Sequence, residues 1–98
     1  MPDPYRVTYP SHVKAKLKQL HALVAPTSLQ SAFFDSLKRI DERLRNEPNS
    51  FGEALYKLPH TKLQVRHGVD GFVIAYWAVH EEKKAVLLKD FALLPNLS

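Results

Sequence analysis

The chain has 98 residues, with 14 Lys and Arg against 10 Asp and Glu, a formal charge of +4 and no cysteine. That length suits a single domain over residues 1–98, and the missing cysteine excludes a disulfide framework, a thiolate metal site and a thiol nucleophile, which points to the cytoplasm. The positive balance is compatible with RNA, DNA or an acidic protein segment, whereas the start Met1-Pro2-Asp3-Pro4 has no signal-peptide pattern and the apolar run Phe72 to Val79 is too short to span a bilayer, so no membrane association is expected.

Tyr5 to Tyr9 alternates apolar and polar residues and predicts a short strand with one buried face, ended by Pro10. Ser11 is placed to cap a helix whose apolar positions Val13, Leu17, Leu20 and Val24 follow helical spacing, with Lys14, Lys18 and His21 forming a basic stripe on another face. Pro26 closes it. Thr27 and Gln30 have capping-box spacing and start a second helix with the stripe Leu29, Phe33, Leu37, Ile40 and Leu44. Asp35 with Arg39, Lys38 with Glu42, Asp41 with Arg45 and Arg43 with Glu47 are i,i+4 pairs on its other faces. The short link predicts an antiparallel helical hairpin.

Pro48, Asn49, Ser50 and Gly52 stop that helix, and the rest reads as sheet. Lys62 to His67 alternates, Leu63 and Val65 on one face and Lys62, Gln64 and Arg66 on the other, and Gly68 to Gly71 supplies a turn. Phe72 to His80 is nearly continuous apolar sequence, as in a central strand covered on both faces. Glu81 to Lys84 is a charged turn, Ala85 to Leu93 is a last strand, and Pro95, Asn96 and Ser98 leave no room for a further helix. The expected class is α+β: strand, helix, helix, then a three-strand antiparallel meander, with the helical hairpin on one sheet face.

Between Ala54 and Val69 there is no acidic residue, yet Lys57, His60, Lys62, Arg66 and His67 all occur. Lysine and arginine can hold phosphates and a histidine can carry a proton near neutral pH. The same charges also protect an exposed edge strand from aggregation. His80 ends the central strand, and Lys89 with Asp90 lies on the last one. Without cysteine or a converging carboxylate, His60 and His67 make a poor metal site, and no metal or other cofactor is implied.

The element order, together with Tyr5-Arg6-Val7, Glu47-Pro48 followed by Phe51-Gly52-Glu53-Ala54-Leu55, Lys62-Leu63-Gln64-Val65-Arg66, Phe72-Val73-Ile74-Ala75-Tyr76 and Val86-Leu87-Leu88, resembles the RelE/ParE toxin superfamily over almost the whole chain. The resemblance implies the toxin of a type II toxin–antitoxin system with a cognate antitoxin as partner and, in the nuclease branch, a metal-independent ribonuclease acting on ribosome-bound messenger RNA. There the ribose 2′-hydroxyl attacks the adjacent phosphate while side chains on the open sheet face stabilise the developing charge. It places Lys62 and Arg66 among the basic residues of the first meander strand, Tyr76 in the core and Trp77 in the groove, where an indole can stack on a base or pack against the antitoxin. His60, His67, His80 and Arg66 are then the catalytic candidates, and Lys57, Lys62, Arg66, Trp77 and Lys89 the phosphate- and RNA-binding ones.

The sequence departs from the nuclease pattern where Val73 replaces an arginine and Ala92-Leu93-Leu94-Pro95 replaces terminal catalytic residues, each loss being worth about 3 kcal/mol of transition-state stabilisation. The alternatives are therefore a non-catalytic inhibitor of DNA gyrase, with the helical hairpin as its contact, and a non-toxic binding module of the same fold. A homodimer is compatible with each.

Overall fold

The computed structural model describes residues 4–58 and 60–95. They form a mixed α+β arrangement of β1 (Arg6–Thr8), α1 (Ser11–Val24), α2 (Gln30–Asn46), β2 (Glu53–Leu58), β3 (Leu63–Asp70), β4 (Val73–His80) and β5 (Ala85–Leu93). One five-stranded sheet has the order β1-β5-β4-β3-β2, in which β1 runs parallel to β5 and every other pairing is antiparallel. Among the described residues no helix is long and apolar enough to cross a membrane.

The meander has four strands, not three. Glu53-Ala54-Leu55-Tyr56-Lys57-Leu58 carries no β-branched residue and is rich in helix formers, so its own preference gives no strand signal; pairing with β3 imposes the conformation. The expected turn over Gly68 to Gly71 shrinks to Gly71 and Phe72, because β3 and β4 stay paired as far as Asp70 and Val73. Gly71 has φ +60, and a Cβ there would press on the Ser36 hydroxyl.

Both helices lie on one face. Val13, Leu20 and Val24 of α1 and Phe33, Ile40 and Leu44 of α2 meet Val73, Ala75, Trp77 and Val79 of β4 and Val86, Leu88 and Phe91 of β5 in one cluster. With Leu93 packed against the cluster, the β5 positions 86, 88, 91 and 93 are spaced by two, then three, then two, which a regular strand cannot keep on one side. A bulge resolves this: Tyr76 pairs with Asp90 and Trp77 with Leu88, so Lys89 is the extra residue.

Caps and clasps differ from expectation in detail. Pro10 holds the N-cap position of α1 and Ser11 is its first residue. The capping box is absent: the Thr27 hydroxyl accepts from Leu29 N–H at 3.0 Å, and Gln30 reaches His21 Nε2 at 3.2 Å. Arg45 with Asp41 and Arg43 with Glu47 form the expected helical pairs at 2.8 and 3.0 Å. Arg39 instead leaves Asp35 and grips both oxygens of Asp70 at 2.6 to 3.0 Å, tying α2 to the β3–β4 turn and holding the Asp70 carboxyl below the ordinary carboxylate range. Two residues further along α2, Tyr9 donates to Asp41 at 2.7 Å. Burial pushes the Asp41 carboxyl up, but hydrogen bonds from Arg45 and Tyr9 outweigh it and the net direction is down. Burial first, and Asp41 second, drive the Tyr9 phenol well above its usual range.

Candidate functional site

The sheet sorts the candidate residues by face. In the β3–β4 register Gln64 opposes Val79 and Arg66 opposes Trp77, so these two polar residues share the helix-side face with the core of β4; Leu63, Val65, His67 and Val69 lie on the open face with His80, Ala78, Tyr76 and Ile74. This reverses the expected parity. The apolar run of β4 offers both faces similar side chains, so only the packing of the helices decides which one is covered.

Trp77 therefore does not face a groove. It is 0% exposed and stacks on Phe51, ring centroids 5.1 Å apart and planes 13° off parallel. Its position removes it as a base platform in the folded chain. Its indole Nε1 has no hydrogen-bond partner among the described residues. Tyr76, assigned to the core, lies on the open face, where it stacks with His67 at 6.1 Å.

Arg66 is likewise turned inward. It is 8% exposed and donates to Phe51 O at 3.1 and 3.3 Å, to Gly52 O at 3.1 Å and to Gln64 Oε1 at 3.2 Å. The segment after α2 folds over the middle of β3, and the guanidinium closes it by saturating two carbonyls. Gly52 allows the approach: at φ +69 it lies so close to β3 that a Cβ would run into the His67 carbonyl. Gly68 leaves space for the Phe51 ring, and Arg43 covers that ring at 4.2 Å. Arg66 thus holds the fold, turned inward where the alternation predicted an exposed phosphate ligand and catalytic group.

Beyond this covered middle, the helix-side face of β2 and β3 opens into a cleft of about 600 Å³. Gln64, Lys57 and Val79 line it from the strands, Asn49 from the segment after α2, His60 and Lys62 from the β2–β3 loop, and Glu81 and Glu82 from the β4–β5 turn. Lys57 is placed by its pairing with Gln64; a bulge at Leu55 shifts the register of β2 just before it. His60 and Lys62 have φ of +65 and +57, unusual for side-chain-bearing residues and a form of strain that concentrates at functional sites. Lys62 Nζ reaches Glu82 at 2.8 Å.

The structure thus brings Lys57, His60 and Lys62 together and disperses the rest. His67 sits on the open face beside Tyr76, with Glu53 at 3.9 Å. His80 lies four register steps away, roughly 13 Å along the strands, and its Nδ1 accepts the Lys83 N–H at 3.2 Å. Lys89 borders a shallower open-face hollow with Leu55, Tyr56 and Tyr76, and its carbonyl accepts from His12 at 3.2 Å. Among the described residues no three His, Asp or Glu side chains group closely enough to hold a metal ion. The sequence reading missed Asn49, Gln64, Glu81 and Glu82. Gln64 had a visible signal, since it alternates with Lys62 and Arg66; Asn49 and the two glutamates reach the cleft only through tertiary folding.

No family model matches the chain, and no curated protein or solved structure matches it.

Proposed function

We propose that the chain is a toxin of the RelE/ParE kind, paired with a cognate antitoxin, and that it meets RNA at the cleft beside β2 and β3. The observation that carries this reading is the convergence of Lys57, His60 and Lys62 on one cleft. The order strand, helix, helix, antiparallel strands supports it, with β2 lengthening the meander. The two lysines are suited to phosphates, and His60 is the proton carrier within the cleft. In a cutting reaction His60 takes the proton of the 2′-hydroxyl as its oxygen bonds to phosphorus; the bond to the 5′-oxygen of the next nucleotide breaks, and that oxygen is protonated from solvent. The antitoxin is assigned the open face, where Leu55, Tyr56, Val69 and Leu87 are each exposed by 43% or more.

A second reading, binding without cutting, is favoured by the inward position of Arg66 and by Val73, which is 0% exposed where the nuclease pattern has an arginine. Its target is DNA gyrase, or a partner bound without toxicity. Purified protein added to a reconstituted translation system tests the first reading: translation should slow and the ribosome-bound message should be cleaved, less so after Lys57→Ala or Lys62→Ala. Slowed translation with intact message selects binding alone, loss of gyrase supercoiling selects the gyrase target, and no effect in either assay removes the toxin reading.

A further inference from the structure

The floor of the cleft carries an uncharged side chain in an unusual setting. Gln64 shares its face with Lys57 on one side and the nearly buried Arg66 on the other. A guanidinium has only donors, so Gln64 can meet Arg66 Nη1 at 3.2 Å only through Oε1. Arg66 cannot turn away, because Phe51 O and Gly52 O hold its other nitrogens. The carboxamide is therefore fixed in one sense, with Nε2 and its two hydrogens directed away from Arg66. No hydrogen bond to Nε2 is present among the described residues, and Lys57 Nζ has no carboxylate within ion-pair distance there.

We infer that Gln64, locked as a donor by Arg66, recognises a phosphate oxygen beside Lys57. This deepens the RNA reading of the cleft and rests on it for the source of the phosphate. A neutral donor suits the position: a lysine there would crowd a third cation between Lys57 and Arg66, whereas an amide adds two N–H groups without repulsion. Glu81 and Glu82 confine an anion to the Lys57 and Gln64 side of the cleft, and Lys62 joins the phosphate by exchanging Glu82 for it. Arg66 touches no ligand in this arrangement; it is a positioning residue.

The test pairs two probes with three variants. In ¹⁵N-labelled protein, inorganic phosphate should shift the side-chain amide resonances of Gln64. Labelled hexauridylate, followed by anisotropy, should bind the native chain and bind Gln64→Glu at least tenfold more weakly. The glutamate should keep the unfolding midpoint by pairing with Arg66. Gln64→Met, of similar shape but without donors, should weaken binding severalfold. Arg66→Lys should weaken it in the native background and have no further effect on Gln64→Met, whereas a purely structural role would weaken both equally. Unchanged affinity in both Gln64 variants overturns the inference and leaves the RNA reading standing. A phosphate-induced shift at Gln64 without hexauridylate binding retains the inference for a free phosphate and removes the RNA source. If neither probe binds, both readings fall.

Discussion

The middle of the β3–β4 pair and its Leu63–His80 end belong to the same two strands and behave as different materials. In the middle, Arg66 and Trp77 are covered by the segment after α2, and Phe51 lies between the Trp77 ring and the Arg43 guanidinium. A few residues away that cover ends, and Lys57, Gln64 and Lys62 line an open cleft. The same alternation of basic and apolar residues serves both regions. Which arginine or lysine is structural and which can meet a ligand is set by how far the Pro48–Gly52 segment reaches, a property of the chain some fifteen residues upstream of Arg66.

The sharpest way to break this contrast is to empty the middle. Trp77→Ala removes a fully buried indole and its stacking on Phe51, and large aromatic deletions of this kind cost about 3 to 5 kcal/mol. For a domain of this size that is a large share of its stability, and urea unfolding should show the midpoint collapsing. Arg66→Met should come next, at about 2 to 3 kcal/mol, because it leaves the Phe51 and Gly52 carbonyls without their donor. A cost below about 0.5 kcal/mol for Arg66→Met would mean that the guanidinium belongs to the cleft and not to the interior.

The sequence carried the helices well and the sheet unevenly, for physical reasons. The period of Val13, Leu20 and Val24, and of Phe33, Ile40 and Leu44, survives because a helix on a sheet buries one stripe. The mixed α+β order was legible for the same reason. A strand's period of two is fragile: one extra residue at Leu55 and another at Lys89 reset it, and β4 is apolar on both sides. Lys57, His60 and Lys62 could be grouped because they are close in sequence. Arg66 was misplaced because its partners are backbone carbonyls, which leave no signature in the side chains. Trp77 was misplaced because the resemblance supplied a parity that β4 itself could not check.

The clasp at the far end of β3 gives a smaller, pH-dependent effect. Arg39 holds the Asp70 carboxyl below its unfolded value, so the clasp contributes above the ordinary carboxylate range and its contribution fades as pH falls through the lowered folded value. Asp70→Asn should therefore lower the urea midpoint at pH 7 by less than either core substitution, and the gap to the native chain should close as pH falls through the lowered Asp70 value. Asp41, shifted in the same direction, should leave the variant some acid sensitivity of its own. A gap that stays constant with pH would show that Asp70 acts through shape and not through charge.

The smallest effect should come from the cleft. Lys62 and Glu82 are both 67% exposed, and ion pairs of that kind contribute about 0.5 kcal/mol or less. Lys62 also carries a positive φ, which costs a residue with a Cβ about 1 kcal/mol and a glycine very little. Lys62→Ala should consequently change stability by less than about 0.5 kcal/mol, while Lys62→Gly should equal or exceed the native chain although it discards the same ion pair. Both should weaken hexauridylate binding alike, since both remove the ammonium. A glycine that stabilises the loop while impairing the ligand would identify the strained backbone at Lys62 as one kept for what the cleft binds.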